Sequence, residues 1–333
     1  MRYLLVDTAN TFFRARHSAY RAADPEEKVA FAVHVTLASI NKAWRDQQAN
    51  HVVINLEGRS WRKDYYEPYK KNRSVARAAL SESEQEEDRL FWEAFDDLKT
   101  FFQEKTNCTV LQHSNLEADD LIAGWIQSHP NDDHTIVSSD TDFYQLLAEN
   151  VKQYNGISDE LHTLEGIFDK KGNRVLDKKT KEPKVIPDPK YILFKKCMRG
   201  DATDNVFSAY PGVREKGSKN KVGLLEAYED KAKKGFNWNN LMLQRWVDHN
   251  EQEHRVLDDY NRNCVLVDLT MQPDDVKEQI AETIAEGMTA KNKQMIGAQF
   301  LKFCGKHNLV KLSDNASVMA HWMSAGYPEL ELT

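Results

Sequence analysis

The feature that most constrains this chain is a recurring pair: a short apolar run, then a carboxylate where the run stops. Asp7 ends Tyr3-Leu4-Leu5-Val6, and Glu57 follows Val52–Leu56. Glu117, Asp119 and Asp120 follow Val110-Leu111, and Asp140 and Asp142 follow Ile136-Val137-Ser138-Ser139. Between these runs lie stretches with helical apolar spacing, through Val29, Val33, Leu37, Ile40 and Trp44 and again through Phe91, Phe95, Leu98 and Phe102. A further helix is predicted from Ala118 to Gln127. Strands that alternate with helices predict an α/β fold, with a mostly parallel central sheet flanked by helices. In open sheets of this kind ligands bind outside the carboxyl ends of the strands. The carboxylates are therefore expected to converge on one edge.

Such a convergence has a chemical implication. A carboxylate at the end of a buried strand is costly unless it is paired or metal-bound. Several together repel and raise one another's pKa. A hard cation with oxygen ligands relieves this; Mg2+ or Mn2+ fits, and zinc fits poorly because no His or Cys accompanies the set. Each carboxylate also has a structural reading, as a helix cap or a partner of a helix dipole.

Composition narrows the class further. The 333 residues are 41% apolar, enough for one large domain or two ordinary ones. No apolar run is long enough for a membrane span, and the apolar start is too short for a signal peptide. The four cysteines have no paired spacing, so neither a zinc site nor a disulfide framework is expected, and a reducing cytoplasm fits. The net charge of −7 hides local patches. Arg59–Arg77 holds seven basic and two acidic residues, whereas Glu82–Asp97 holds eight acidic and one basic. Further basic stretches run from Lys170 to Lys190 and from Arg214 to Lys221. Screening confines charge effects to about 10 Å, so local patches matter more than the mean.

After an expected strand at 151–154, the Lys170-Lys171-Gly172-Asn173 turn signal predicts a hairpin-like insertion over about 156–189, where Pro183, Pro187 and Pro189 oppose helix. From Tyr191 onward the chain reads as mainly helical. The expected division is residues 1–190 as the α/β domain and 191–333 as a helical C-terminal domain.

The ordered set Asp7, Glu57-Gly58, Tyr69-Lys70-Lys71-Asn72-Arg73, Glu117-Ala118-Asp119-Asp120, Ser139-Asp140-Thr141-Asp142 and Gly200-Asp201-Ala202-Thr203-Asp204-Asn205 resembles the flap endonuclease and 5′ nuclease family over roughly residues 2 to 230. Trp61-Arg62-Lys63-Asp64 is similar to the T-even phage ribonuclease H subgroup. The resemblance implies a PIN-like 5′ nuclease fold and two Mg2+ ions per active site, with Mn2+ as substitute. One ion would lie around Asp7, Glu57, Glu117, Asp119 and Asp140. The second would use Asp142, Asp201 and Asp204, with Asp120 and Asp140 near the pair. Where the family usually has Asp, this chain has Glu57, and Asn55 is the other polar residue that fits there. Lys70 and Arg73 match the family's basic pair beside the reacting phosphate. Arg62, Tyr69, Lys71, Arg77, Arg214, Lys216, Lys219 and Lys221 are expected to bind nucleic acid. The segment of about 73–97 stands where the family has its arch or bridge; its acidic middle fits a helix face, a mobile arch or a disordered loop. After Pro211-Gly212-Val213 the chain departs from the family's Gly-Val-x-Gly-x-Gly-x-Lys pattern. That puts the backbone loop for a monovalent ion in doubt.

The activity implied is metal-dependent hydrolysis of phosphodiesters near 5′ ends, leaving 5′-phosphates. The expected substrates are 5′-flap, nicked or RNA-primed duplex DNA. The C-terminal domain would contact the duplex, a single-stranded-DNA-binding protein of the replication machinery would be a partner, and the setting would be phage DNA replication. Two other readings stay open: a PIN-like ribonuclease, and a structure-specific DNA-binding protein without catalysis.

Overall fold

The computed structural model describes residues 1–18 and 24–328. The chain forms two compact units that are not consecutive stretches. One comprises Met1–Ser60, Leu80–Ile186 and Asp275–Thr333, the other Trp61–Ala79 and Pro187–Asp274. A single boundary near Pro189 therefore misses two exchanges. Trp61–Ala79 belongs with the helical unit, and the last helices belong with the sheet.

The first unit is built on seven strands: β1 (Arg2–Asp7), β2 (His51–Asn55), β3 (Thr109–Leu111), β4 (Asp133–Val137), β5 (Val151–Asn155), β6 (Glu160–Thr163) and β7 (Gly166–Phe168). Their spatial order is β3-β2-β1-β4-β5-β6-β7. The five from β3 to β5 are mutually parallel, and β6 and β7 add an antiparallel edge. β2 is buried along its whole length and β1 beyond Arg2, as expected when helices cover both faces. The helix Pro25–Asp46 starts with Pro at its first turn and an Asp24 cap. The core gathers Leu4, Val33, Leu37, Ile54, Phe91 and Phe102, together with Phe300 and Trp322 from the C-terminal helices. No helix among the described residues is long and apolar enough to cross a membrane.

The acidic segment after Ser81 is a helix, Glu82–Lys105, opened by a capping box between Ser81 and Glu84. Its apolar stripe enters the core, while Arg16 pairs with Glu87 and Asp88, and Lys28 with Glu87. Of the three forms open from sequence, the structure takes the helix face. The helix Thr8–Ser18 was not foreseen, because its spacing is masked by Arg14 and Arg16.

In the second unit the helices Lys71–Ala78, Pro189–Arg199, Leu224–Asp230, Phe236–Met242 and Val256–Val267 accompany a small hairpin, Arg245–Val247 with Glu253–Arg255. Tyr69, Phe194, Met198, Leu224, Trp238 and Tyr260 form its core. The hairpin interrupts what the sequence presents as continuous helix.

Candidate active site

In the first unit the parallel order places four carboxylate-bearing strand ends side by side. Leu111, Asn55 and Asp7 are register partners across β3, β2 and β1, and Val6 pairs with Val137 of β4. Glu57, Glu117 and Asp140 each leave this same edge a few residues further on. The chain closes the edge tightly. The Gly58 N–H donates to the Leu116 carbonyl at 2.7 Å, and a Cβ at Gly58 would stand 2.1 Å from the carbonyl oxygen of His113. Only glycine allows the Glu57 turn to lie on that loop.

Three carboxylates at this edge are deeply buried: Asp7, Glu117 and Asp120 are 6%, 3% and 0% exposed. Asp7 accepts from the Ser138 hydroxyl at 2.8 Å and from the Asn10 N–H at 3.2 Å. Asn10 in turn accepts from the N–H and hydroxyl of Ser139, at 3.0 and 2.8 Å. The Ser60 hydroxyl donates to Glu117 at 2.8 Å. Glu117, Asp119 and Asp120 each offer a ligand oxygen within 4.8 Å of the others. They open the helix Ala118–Ser128, and Glu57 accepts from the Ala118 N–H at 3.3 Å. Unsatisfied N–H groups and the helix dipole make this end tolerant of negative charge. Asp120 also accepts from the Glu117 N–H at 3.3 Å, so its structural reading as a cap partner holds beside the other. Asp140 caps the turn Thr141–Leu146 by accepting from the Asp142 N–H at 3.0 Å, and Gln153 donates to the carbonyls of Ser138 and Asp140. Sequence reading missed Asn10, Ser60, Ser138 and Gln153; polar residues next to the carboxylate motifs were the available signal for the first three.

The donor set suits a hard divalent cation. All three clustered ligands are carboxylates. Asn55, the register partner of Asp7, has a fully buried side-chain carbonyl oxygen without a hydrogen-bond partner.

The second unit holds its own constellation. The loop Gly200–Asn205 turns back on itself through paired hydrogen bonds between Asp201 and Val206. Gly200 has φ 72° and faces the Val206 carbonyl at a distance that no Cβ permits. Burial would raise the Asp201 carboxyl, but Lys196 at 2.8 Å and the N–H groups of Thr203 and Asp204 hold it below its ordinary value. Asp204 receives the Arg73 guanidinium at 2.6 Å, the Tyr69 hydroxyl at 3.1 Å and the Lys70 ammonium at 3.7 Å. The Lys70 N–H also donates to the Asp204 carbonyl. Lys70 precedes the helix Lys71–Ala78 in a left-handed conformation, and in this structure Asp204 is the common counter-ion of Lys70 and Arg73. Lys71 is exposed and pairs with Glu67 instead.

Two expected nucleic-acid contacts need correction. Arg62 is buried, donates from Nε to the Leu266 carbonyl and lies over the Trp61 ring. Tyr69 is a core residue whose hydroxyl is taken by Asp204. Neither presents itself to a phosphate or a base. Arg77, Arg214, Lys216, Lys219 and Lys221 are exposed. The divergent 214–223 loop is organised by a side chain: the Glu226 carboxylate accepts from the N–H groups of Gly217 and Gly223 at 2.9–3.0 Å.

The mostly parallel sheet with carboxylates gathered at its C-terminal strand ends agrees with the resolvase-like 5′ nuclease fold shown by the family and structure matches. Residues 2–178 match the family model described as 5′-3′ exonuclease, N-terminal resolvase-like domain. The chain belongs to the 5′-3′ exonuclease family, a family of phosphodiester hydrolases. It is 26% identical over 236 residues to flap endonuclease Xni of Shewanella piezotolerans, covering 69% of this chain and 78% of that protein. It is 35% identical over 121 residues to a 5′-3′ exonuclease of Aquifex aeolicus, covering 36% of each. Against DNA polymerase I of Rhizobium leguminosarum the identity is 31% over 181 residues, 54% of this chain but only 15% of that protein. The T5 5′-exonuclease with bound zinc superimposes with a TM-score of 0.58 at 20% identity, covering 86% of this chain and 99% of that one. The T5 flap endonuclease in a pseudo-enzyme-product complex with DNA and metal ions gives 0.57, also at 20% identity.

Proposed function

We propose that this protein is a metal-dependent 5′ nuclease that hydrolyses phosphodiesters near the 5′ ends of flap, nicked or RNA-primed duplex DNA. The observation that supports it most is the oxygen-only cluster Glu117, Asp119 and Asp120 at the same sheet edge as Asp7 and Asp140. Mg2+ or Mn2+, two ions per site in this reading, would lower the pKa of a water nucleophile and neutralise charge at phosphorus. The chain's own residues do the positioning. Ser138 and Asn10 fix the Asp7 carboxylate, Ser60 fixes Glu117, and the N-terminus of Ala118–Ser128 steadies the negative charge. Buried side chains with locked partners hold ligand oxygens to a narrow geometry. Lys70 and Arg73 are the cations proposed to meet the reacting phosphate.

The T5 enzyme of the same fold was captured with DNA and metal ions, which supports a DNA substrate and a metal cofactor. Primer removal in phage replication, alongside a single-stranded-DNA-binding protein, is part of the same reading, as is the T-even ribonuclease H subgroup. The test is cleavage mapping on end-labelled flap, nicked and RNA–DNA hybrid substrates with magnesium. Products shortened from the 5′ end and bearing 5′-phosphates support the reading. Cleavage that is confined to single-stranded RNA favours the PIN-like alternative. Binding without metal-dependent cleavage favours the non-catalytic one.

A further inference from the structure

Beyond β7 the sheet continues as two tight turns. Phe168 bridges Arg174, and Leu176 bridges Pro183, both antiparallel. Between residues 170 and 184 the chain holds seven cations and two carboxylates, in a protein whose net charge is −7. Lys170, Lys171 and Arg174 are exposed. They make no ion pair among the described residues, in contrast to Arg16 and Lys28, which are neutralised by Glu87 and Asp88. Asp169, the carboxylate that opens the turn, accepts from the N–H groups of Lys171 and Asn173 at 2.8 and 2.9 Å and lies in the field of Lys171 without forming an ion pair with it.

The topology fixes where this charge lies. β5 is parallel to β4 and β1, β6 runs opposite to β5, and β7 runs opposite to β6. β7 therefore points the same way as β1. The 169–173 turn leaves the sheet at the edge where Asp7, Glu117 and Asp140 are found. The 177–181 turn follows a strand-like segment running back, so Lys178, Lys179 and Lys181 lie toward the opposite edge. β7 is four strand positions from β1. At about 4.8 Å per strand this is roughly 19 Å, the span of about five to six nucleotide steps at 3.4 Å each.

We propose that Lys170, Lys171 and Arg174 form a second nucleic-acid contact. It takes backbone phosphates of duplex DNA about five to six base pairs from the phosphodiester at the acidic cluster. The proposal rests on the nuclease reading for the position of the DNA. It assigns this turn a sequence-independent gripping role: Arg174 lies over the Phe168 ring and Lys171 beside Asp169, but none of the three cations is held in an ion pair, and duplex phosphates that meet them release condensed counter-ions.

The experiment compares wild type, Lys170→Gln/Lys171→Gln/Arg174→Gln, the charge-keeping Lys170→Arg/Lys171→Arg/Arg174→Lys, and Lys178→Gln/Lys179→Gln/Lys181→Gln. Affinity for fluorescent 5′-flap DNA is read by anisotropy in chelator across a salt series. One substrate has duplex arms of about 4 base pairs and another of about 12, either side of the predicted contact. On long arms the first variant should lose about 2 to 3 from the slope of log affinity against log salt. It should match wild type on short arms and at saturating substrate with metal. The charge-keeping variant should behave as wild type, which separates lost charge from lost folding. An unchanged long-arm slope in the first variant overturns the contact. An equal loss in the Lys178 variant overturns its placement at the carboxylate edge. If wild type neither binds nor cleaves the flap, it is the nuclease reading that fails.

Discussion

Acidification should destabilise the first unit through a histidine far from the candidate site. His51 begins β2, is fully buried, and accepts at Nε2 from the Thr109 N–H at 3.3 Å. Nε2 is therefore unprotonated, and Nδ1 carries the hydrogen donated to the Ala325 carbonyl at 2.9 Å. The Tyr3 and Tyr327 rings face it, and Lys291 is the nearby charge. Burial takes the imidazole from its ordinary 6.5 down to about 4. The folded state thus holds His51 neutral where the unfolded chain takes up a proton. The contribution is fully present above pH 6.5 and is lost as pH falls through about 4. At 1.36 kcal/mol per pKa unit this gap corresponds to about 3 kcal/mol. His51→Gln keeps an acceptor and a donor but cannot titrate. Urea unfolding followed by circular dichroism at steps between pH 7.5 and 4 reads the effect, in both proteins and in chelator. The difference between the two stability curves isolates His51 from the other titrating groups. It should shift in favour of the variant by about 3 kcal/mol from the top of the range to the bottom. Parallel curves would refute the reasoning.

Four further outcomes follow from the site. Chelation should abolish cleavage and leave DNA binding intact, and millimolar Mg2+ or Mn2+ should raise Tm because the ion binds only the folded cluster; an unchanged Tm counts against a preformed site. Asp7→Asn and Asp140→Asn should be inactive yet, in chelator, no less stable than wild type, since each removes repulsion; an unfolded variant would make that residue structural. Asp204→Asn should release Arg73 from its ion pair and so tighten metal-free DNA binding, with a steeper salt dependence; weaker binding would show that Asp204 does not restrain Arg73. Lys70→Ala should lower the single-turnover rate at saturating substrate by about 10²-fold with little change in affinity, and Lys71→Ala, already paired outward to Glu67, should not.

The sheet was legible because its signals are local: apolar runs of strand length, helical spacing through Val33 and Leu37, and turns at Gly58 and Lys170–Asn173. The carboxylates at the strand ends were legible for the same reason, since topology alone gathers them. What sequence could not show depends on tertiary partners. Arg62 and Tyr69 look like surface cation and stacking ring until Leu266 and Asp204 take their polar atoms. The two-unit division escaped because Trp61–Ala79 joins, by packing, a unit that begins more than 100 residues later. The Glu226 clasp on Gly217 and Gly223 also lay beyond reach, as a carboxylate holding a loop has the same letter as one facing water.

The register of β1 and β2 makes assembly of the site inseparable from completion of the sheet. Asp7 stands opposite Asn55, Asn55 opposite Leu111, and Val6 opposite Val137. A slip of one residue would turn Asp7 to the other face of the sheet. Glu117, Asp119 and Asp120 are neighbours in sequence, but Asp7 and Asp140 reach the same edge only through β1 and β4. A partly formed chain therefore holds at most the local carboxylates at the start of Ala118–Ser128, and hydrolytic competence is expected only when the central strands close and bring Asp7 and Asp140 beside them.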